Sequence, residues 1–227
     1  MVAPIQQDSS SAETRRQLLE AAGHVFADVG FRNATVREIC NRAGANIAAV
    51  NYHFGDKKTL YIAVLKESYW LAVEKYPPSL GLAAKATPEQ RLHAFVLSLL
   101  LRIFSEGRHS RYGRLMAREM IEPTGALDAM MEDEIQPMAD TLNSVIQSIL
   151  GRSAQIDLIR LCGMSVVSQA LFYHHCRPVV LQLCPGMKFD EPGLRQLADH
   201  ITRFSLDGLR AQSPAATPVR SKSSSRS

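Results

Sequence analysis

TVREICNRAGANIAAVNYHFGDKKT, residues 35–59, is the stretch whose reading decides the fold. Thr35 and Glu38 form a T-x-x-E capping box, so a helix starts at Val36. Val36, Ile39 and Cys40 fall on its inward side, and Arg37 and Arg42 face out. Ala43-Gly44-Ala45 is a turn in which Gly44 is free to take a positive φ. Asn46 caps a second helix from Ile47 to His53, and Asp56 caps a third. Lys57 and Lys58 then lie in the first turn of that third helix. Cations there oppose the helix macrodipole, which points to a use other than stability, such as holding a phosphate. Two short helices joined by a glycine turn are what a helix-turn-helix needs to lay its second helix in a DNA groove.

The exposed face of that second helix carries Asn46, Ile47, Ala48, Asn51 and Tyr52. Asparagine pairs bidentately with adenine, and small apolar side chains meet a thymine methyl. Tyr52, His53 and Lys57 suit phosphates, which fix register without reading sequence. A helical hairpin with a merely solvated polar face has the same spacing. The residues alone leave both readings open.

Outward from this stretch the periodicity is helical throughout, and the chain reads as all-α. Leu18, Leu19, Ala22, Val25, Phe26 and Val29 form one stripe, which Gly30 closes. Leu60, Val64, Leu65, Tyr69 and Val73 form another, ended near Pro77 and Pro78. Further helices are expected over 88–104, 111–121, 127–150 with a bend at Pro137, 156–176 and 192–209. The boundaries drawn are a flexible N-terminus (1–11), a DNA-binding domain (12–58), a C-terminal helical domain (59–210) and a disordered basic tail (211–227). The tail is small, polar and basic.

The segment from about 12 to 61 resembles the DNA-binding domain of the TetR/AcrR family of bacterial transcriptional regulators. The residues that carry the resemblance are F-A-D-V-G-F (Phe26 to Phe31), T-V-R-E-I (Thr35 to Ile39), A-G (Ala43, Gly44) and Y-H-F-G-D-K (Tyr52 to Lys57). It implies an all-helical homodimer. The N-terminal domains would bind operator DNA, and the C-terminal bodies would pair and enclose a small-molecule effector. Thr35, Tyr52, His53 and Lys57 become expected phosphate contacts, with Arg37 beside them, and residues 46–51 face bases. Where members often carry a lysine or a glycine-threonine pair, this chain has Ile47, Ala48 and Ala49. That shifts weight from charge to apolar and amide contacts.

For an effector pocket, Trp70, Phe104, Met116, Met120 and Phe172 are the expected lining, with Arg118, Glu119 and His174 to orient the ligand. For a dimer interface the expected residues are Ile159, Val167 and Leu171 on one late helix and Leu197, Ile201 and Phe204 on the other. The alternative is that these stripes complete the monomer's own core.

Hydrophobic content is 46%, charged content 21% and net charge +4. These values fit a globular, mildly basic protein with a nucleic-acid partner. The first sixty residues hold seven Lys/Arg against six Asp/Glu, so charge alone supplies modest affinity per subunit. No membrane span, signal peptide or paired cysteine spacing is read, and a cytoplasmic location is expected. Adjacent His174 and His175 point about 100° apart, so no metal site is expected, and no cofactor. No nucleophile elbow or phosphate loop accompanies Glu119, Glu122 or Glu132, so an enzyme is not expected. The expected function is a ligand-responsive transcriptional regulator, in particular a repressor. The competing one is an interaction protein that kept the fold and no longer depends on an operator.

Overall fold

The computed structural model describes residues 5–105 and 111–212, and all regular structure in them is helical. By packing, the chain divides into two compact units. Unit 1 takes the described residues of Met1–Pro77 and Leu101–Pro137. Unit 2 takes those of Pro78–Leu100 and Met138–Ser227.

Unit 1 is built on α1 (Ile5–Asn33), which includes residues 5–11 of the stretch expected to be flexible. Gly30 interrupts this helix at φ 80°, ψ 170°, a conformation that glycine adopts at little cost. Next come α2 (Val36–Ala43) and α3 (Ile47–Phe54), both packed on α1, and then α4 (Lys57–Lys75). Leu18, Ala22, Val25 and Phe26 of α1, Ile39 of α2, Val50 of α3, and Leu60 and Val64 of α4 are fully buried. Phe26, Phe31 and Tyr61 form an aromatic cluster, with centroids 4.9 Å apart for Phe26–Tyr61 and 5.1 Å for Phe31–Tyr61. The sequence therefore buries the faces its periodicity marks.

Helix α6 (Arg111–Ile121) lies against both α1 and α4. It grips α1 through arginines on successive turns. Arg111, almost wholly buried, donates to the Glu20 carbonyl at 3.1 Å, and its guanidinium leaves no room for a side chain at Gly23. Arg114 donates to the Asp28 carboxylate at 3.2 Å. Arg118 donates to the Ala27 carbonyl at 3.2 Å and the Asp28 carbonyl at 2.6 Å. A second cation arrives from α4: the Lys57 ammonium donates to the carbonyls of Phe31 and Ala34, both at 3.0 Å, and sits 4.5 Å above the Phe31 ring. The last carbonyls of a helix lack partners within it and carry partial negative charge, so two cations here satisfy both demands.

The other face of α6 is tied to α4 through Glu119. Its buried carboxylate accepts from the Tyr61 hydroxyl at 3.2 Å, from the Thr124 amide and hydroxyl, and from the Ala126 amide. That many donors offset the cost of burying the charge. Burial, and then the nearby carboxylate, push the Tyr61 phenol above its ordinary pKa. Gly113 lets α6 cross the Ile103 carbonyl, where a Cβ has no space.

The single helix expected over 127–150 is three pieces: a 3₁₀ turn (Asp128–Met130), a π-helical turn (Met131–Ile135) and α7 (Gln136–Leu150). Pro137 is thus the second residue of α7, a position where a missing N–H is tolerated, and not a bend within a longer helix. The π turn is held on α4: Tyr69 donates to the Glu134 carbonyl at 2.9 Å, Trp70 to its carboxylate at 3.3 Å, and the Lys66 ammonium lies 3.3 Å from its other oxygen.

In unit 2, α8 (Ile156–His175) packs on α10 (Glu191–Gln212). Gly163 brings α8 against Leu142, Asn143 and Ile146 of α7. Leu194, Leu197, Ala198, Ile201 and Leu209 line the buried side of α10. The first part of α5 (Pro88–Phe104) joins it through His93, whose Nε2 lies 2.8 Å from Asp199 Oδ1. A short α9 (Arg177–Leu183), not anticipated from the sequence, follows α8 with proline in its first turn. The expected basic tail falls, from residue 213, outside the described residues.

Among the described residues α8 is long and apolar enough to cross a bilayer by length and composition, with a mean hydropathy of 1.3 over its best window. Its exposed side carries Leu161, Met164 and Phe172 beside Asp157, Arg160, Ser165 and Ser168.

If Lys57 closes the end of α1, Lys57→Met, which keeps the stem on Phe31, should lower unfolding free energy by about 1.5–3 kcal/mol, the scale for hydrogen bonds made by a charged group. Urea unfolding measures it. An unchanged midpoint would show that the ammonium contributes nothing to the fold.

Candidate nucleic-acid interface

Local chemistry sets the geometry of the reading unit. Thr35 Oγ1 accepts from the Glu38 amide at 3.1 Å and starts α2. Gly44 ends it at φ 65°, its amide bonded to the Asn41 carbonyl and the Ala45 amide to Cys40. Asn46 Oδ1 accepts from the Ala49 amide at 3.0 Å and starts α3. Asp56 Oδ1 accepts from the Thr59 amide at 2.7 Å and starts α4. These bonds hold the Asp56 carboxyl below its ordinary pKa, the Thr59 amide contributing most.

Val50 and Phe54 anchor α3 from below. What remains outside is the expected reading face. Ile47 is 51% exposed and Tyr52 80%, with Ala48 and Asn51 exposed beside them. His53 is half-buried, stacked edge-on with Tyr52 at 4.9 Å. Thr35 and Arg37 are exposed on the α2 side. Asn46 spends its carbonyl oxygen on the cap, which does not use its amide donors.

Lys57 departs from expectation. Its ammonium is bonded to two main-chain carbonyls and covered by a ring. At the start of α4 the cation opposes that helix's own dipole. The favourable dipole it meets is the C-terminal end of α1.

The expected pocket residues do not share one role. Arg118 and Glu119, neighbours on α6, are committed to α1 carbonyls and to the Tyr61–Thr124–Ala126 network, respectively. Trp70 and Met120 are exposed, Met116 is half-buried and Phe104 is buried, all in unit 1. Phe172 is exposed and His174 half-buried, both in unit 2. Nothing in the periodicity around Arg118 signals its partners, which lie some ninety residues earlier.

The residues expected at an interface divide by burial. Ile159, Leu197 and Ile201 are buried in the core of unit 2, because the sides they occupy are those by which α8 and α10 pack there. Val167 and Leu171 are half-buried. Phe204 is 66% exposed, as expected of an interface residue. The exposed apolar stripe on α8 runs instead through Leu161, Met164 and Phe172, positions three to eight apart on one side of the helix.

An all-helical chain with capped, outward-facing helix-turn-helix tips belongs to the class of helix-turn-helix DNA-binding regulators. Residues 18–64 match the family described as bacterial regulatory proteins, tetR family. Residues 88–209 match the C-terminal domain of the HTH-type transcriptional dual regulator CecR. The chain belongs to the TetR family of bacterial transcriptional regulators, with a C-terminal domain of the CecR type. It is 28% identical to the dual regulator CecR of Shigella flexneri over 190 residues, 79% of this chain and 83% of that protein. It is 24% identical to the regulator RutR of Escherichia coli K12 over 206 residues, 86% of this chain and 90% of that protein. Among solved structures, AibR in complex with isovaleryl coenzyme A and operator DNA shares the fold at TM-score 0.62 and 19% identity, over 84% of this chain and 97% of that one.

Burial, then the charges of His175 and Arg177, depress the His174 pKa to about 4. Its unfolded value is 6.5, so unfolding binds a proton between those values. Stability should be intact above pH 6.5 and fall as pH drops toward about 4. His174→Gln should flatten that part of the stability–pH curve. An identical slope in the variant would show that other groups cause it.

Proposed function

We propose that this DNA-binding regulator is a ligand-responsive repressor that binds a palindromic operator as a homodimer in the cytoplasm. The observation that carries the reading is the pair of capped short helices whose second member leaves Ile47, Ala48, Asn51 and Tyr52 outside any core. Asn51 and the amide donors of Asn46 read base edges, and Ile47 and Ala48 meet thymine methyls. Thr35, Arg37, Tyr52 and His53 hold phosphates. Lys57 acts one step removed, by fixing α4 to the end of α1.

The dimer is supported by the exposed stripe of Leu161, Met164 and Phe172 on α8, with Phe204 on α10. A second copy related by a two-fold axis presents the same stripe, so the face is self-complementary. That also accounts for the exposed apolar residues of α8. Two subunits then place two reading helices ~34–36 Å apart on one face of the duplex.

An effector shifts DNA binding only by its differential affinity for two conformations. Complexes of this fold with an acyl coenzyme A and with operator DNA, such as AibR, support a small-molecule effector of some kind. A second reading, repression at some promoters and activation at others, is favoured by the likeness to a dual regulator over most of the chain.

Selection of genomic fragments bound by the full-length protein tests the operator. Inverted repeats with half-sites about one helical turn apart are expected, and reporters on the selected promoters separate repression from dual control. Recovery of fragments without any shared motif would overturn the reading. For the dimer, Leu161→Glu should raise the dimer dissociation constant at least about a hundredfold, since it buries an unpaired charge twice. Sedimentation shows it, and a variant that stays fully dimeric would place the interface elsewhere.

A further inference from the structure

The cations of the N-terminal unit can be accounted for one by one. Seven Lys/Arg lie within residues 1–60. Arg16 is paired with Glu13 and Glu20. Arg32 lies 4.0 Å from Glu122, and Arg42 4.0 Å from Asp28. Lys57 is spent on the Phe31 and Ala34 carbonyls. Lys58 follows Asp56, whose carboxylate it helps to hold ionised. Among the described residues, Arg15, Arg37 and Lys58 have no carboxylate within ion-pair distance, and Lys58 lies in the first turn of α4 with its ammonium beside Gly125. Arg37 already belongs to the reading face through α2. Arg15 belongs to no site so far described.

Its position is specific. The Arg15 guanidinium lies 5.2 Å from the centre of the Phe54 ring, and the Arg15 side chain is exposed. Phe54 is the last residue of α3, the reading helix. The His53 ring is 6.2 Å from that of Phe54 and 4.9 Å from that of Tyr52. Tyr52, His53, Phe54 and Arg15 thus form a row that begins on the exposed end of the reading helix and finishes in a cation donated by α1. A guanidinium held over a ring loses little of its donor capacity, because its N–H groups lie in its own plane and point past the ring. The ring also favours one position of the guanidinium before any partner arrives, which lowers the ordering cost of a bidentate bond to phosphate.

We propose that Arg15 is a DNA phosphate contact, supplying from α1 the charge that Lys57 does not offer. The proposal rests on the protein's DNA binding through α3 and adds a residue outside the helix-turn-helix to it. Arg15 carries no base information. It clamps one strand beside the end of α3 and so fixes the depth at which Asn51 and Ile47 sit in the groove.

The test uses the full-length protein and a random-sequence duplex of 30 base pairs, since a phosphate contact is independent of sequence. Binding of wild type, Arg15→Met, Arg15→Lys and Arg37→Met is measured across a salt series. Methionine keeps an apolar stem on Phe54 and removes only the charge, so the melting temperature should not move. Arg15→Met should weaken binding and reduce the slope of log K against log salt by about 1 per subunit. Arg15→Lys should retain the slope. Arg37→Met gives the size of a single lost contact for comparison. A wild-type slope in Arg15→Met overturns the proposal while leaving DNA binding by the reading helix intact. If wild-type protein shows no salt-dependent binding at all, the reading of α3 fails, and this proposal with it.

Discussion

Helix α1 ends with its carbonyls pointed at cations that belong to two other helices. Arg118 of α6 takes Ala27 and Asp28, and Lys57 of α4 takes Phe31 and Ala34. The break at Gly30 makes this possible. The left-handed glycine turns the chain so that the last carbonyls splay, and a side chain there would crowd the Arg118 guanidinium. Because α2 and α3 both pack on α1, the orientation of the reading helix is set by how this end is held. The helix-turn-helix supplies the chemistry of reading, and the clamp supplies its aim.

The clamp is polar and directional, whereas the packing beneath it is apolar and tolerant. An apolar contact between α1 and α6 would survive a small sliding motion with little loss, since burial depends on area. Charge-assisted bonds to particular carbonyls do not survive it, because they weaken steeply with misalignment. Arg111, Arg114 and Arg118 grip α1 at Glu20, Asp28 and Ala27. Any shift of α6 along its own axis must therefore break or exchange several of them together. Glu119 couples the same helix to α4 through Tyr61, so α1, α4 and α6 respond as one body.

How much of this the sequence disclosed follows from the range of each interaction. Thr35, Gly44, Asn46 and Asp56 act on groups one to four residues away, and each could be placed from local spacing. The exposure of Ile47, Asn51 and Tyr52 followed from the same helical period. Lys57 was noticed as anomalous at its own helix end, yet its partners lie 23 and 26 residues earlier. Arg118 and Glu119 invite a ligand-orienting role because they are polar groups beside the expected apolar lining. The partners of Arg118 are main-chain carbonyls, which have no signature in composition, and those of Glu119 are the Tyr61 and Thr124 hydroxyls and two backbone amides. On α8 and α10 the stripes are visible, but α8 carries apolar residues on its exposed side as well, so periodicity does not say which stripe is the core. The break of the expected helix over 127–150 was hidden for a similar reason. A π turn keeps the apolar pattern nearly continuous while shifting its register.

The distribution of charge bears on how such a protein discriminates between DNA sequences. Most cations of the N-terminal unit are consumed by carboxylates or carbonyls, so nonspecific attraction is limited to a few phosphate contacts per subunit. On the reading helix itself the uncovered groups are an isoleucine, an alanine, an asparagine and a tyrosine. In the proposed mode of binding, contacts of that kind would gain little energy from the wrong base pair, and only with the helix at the right depth and angle. A reader of low charge therefore depends more heavily on its alignment than a highly basic one does. Exchanging two or three charge-assisted bonds at the end of α1, each worth about 1.5–3 kcal/mol, spans the ~5.5 kcal/mol that separates a nearly full from a nearly empty binding-competent state. In a proposed ligand response, the effector need not touch the helix-turn-helix. It need only favour an arrangement of α6 in which Arg118 no longer meets those carbonyls.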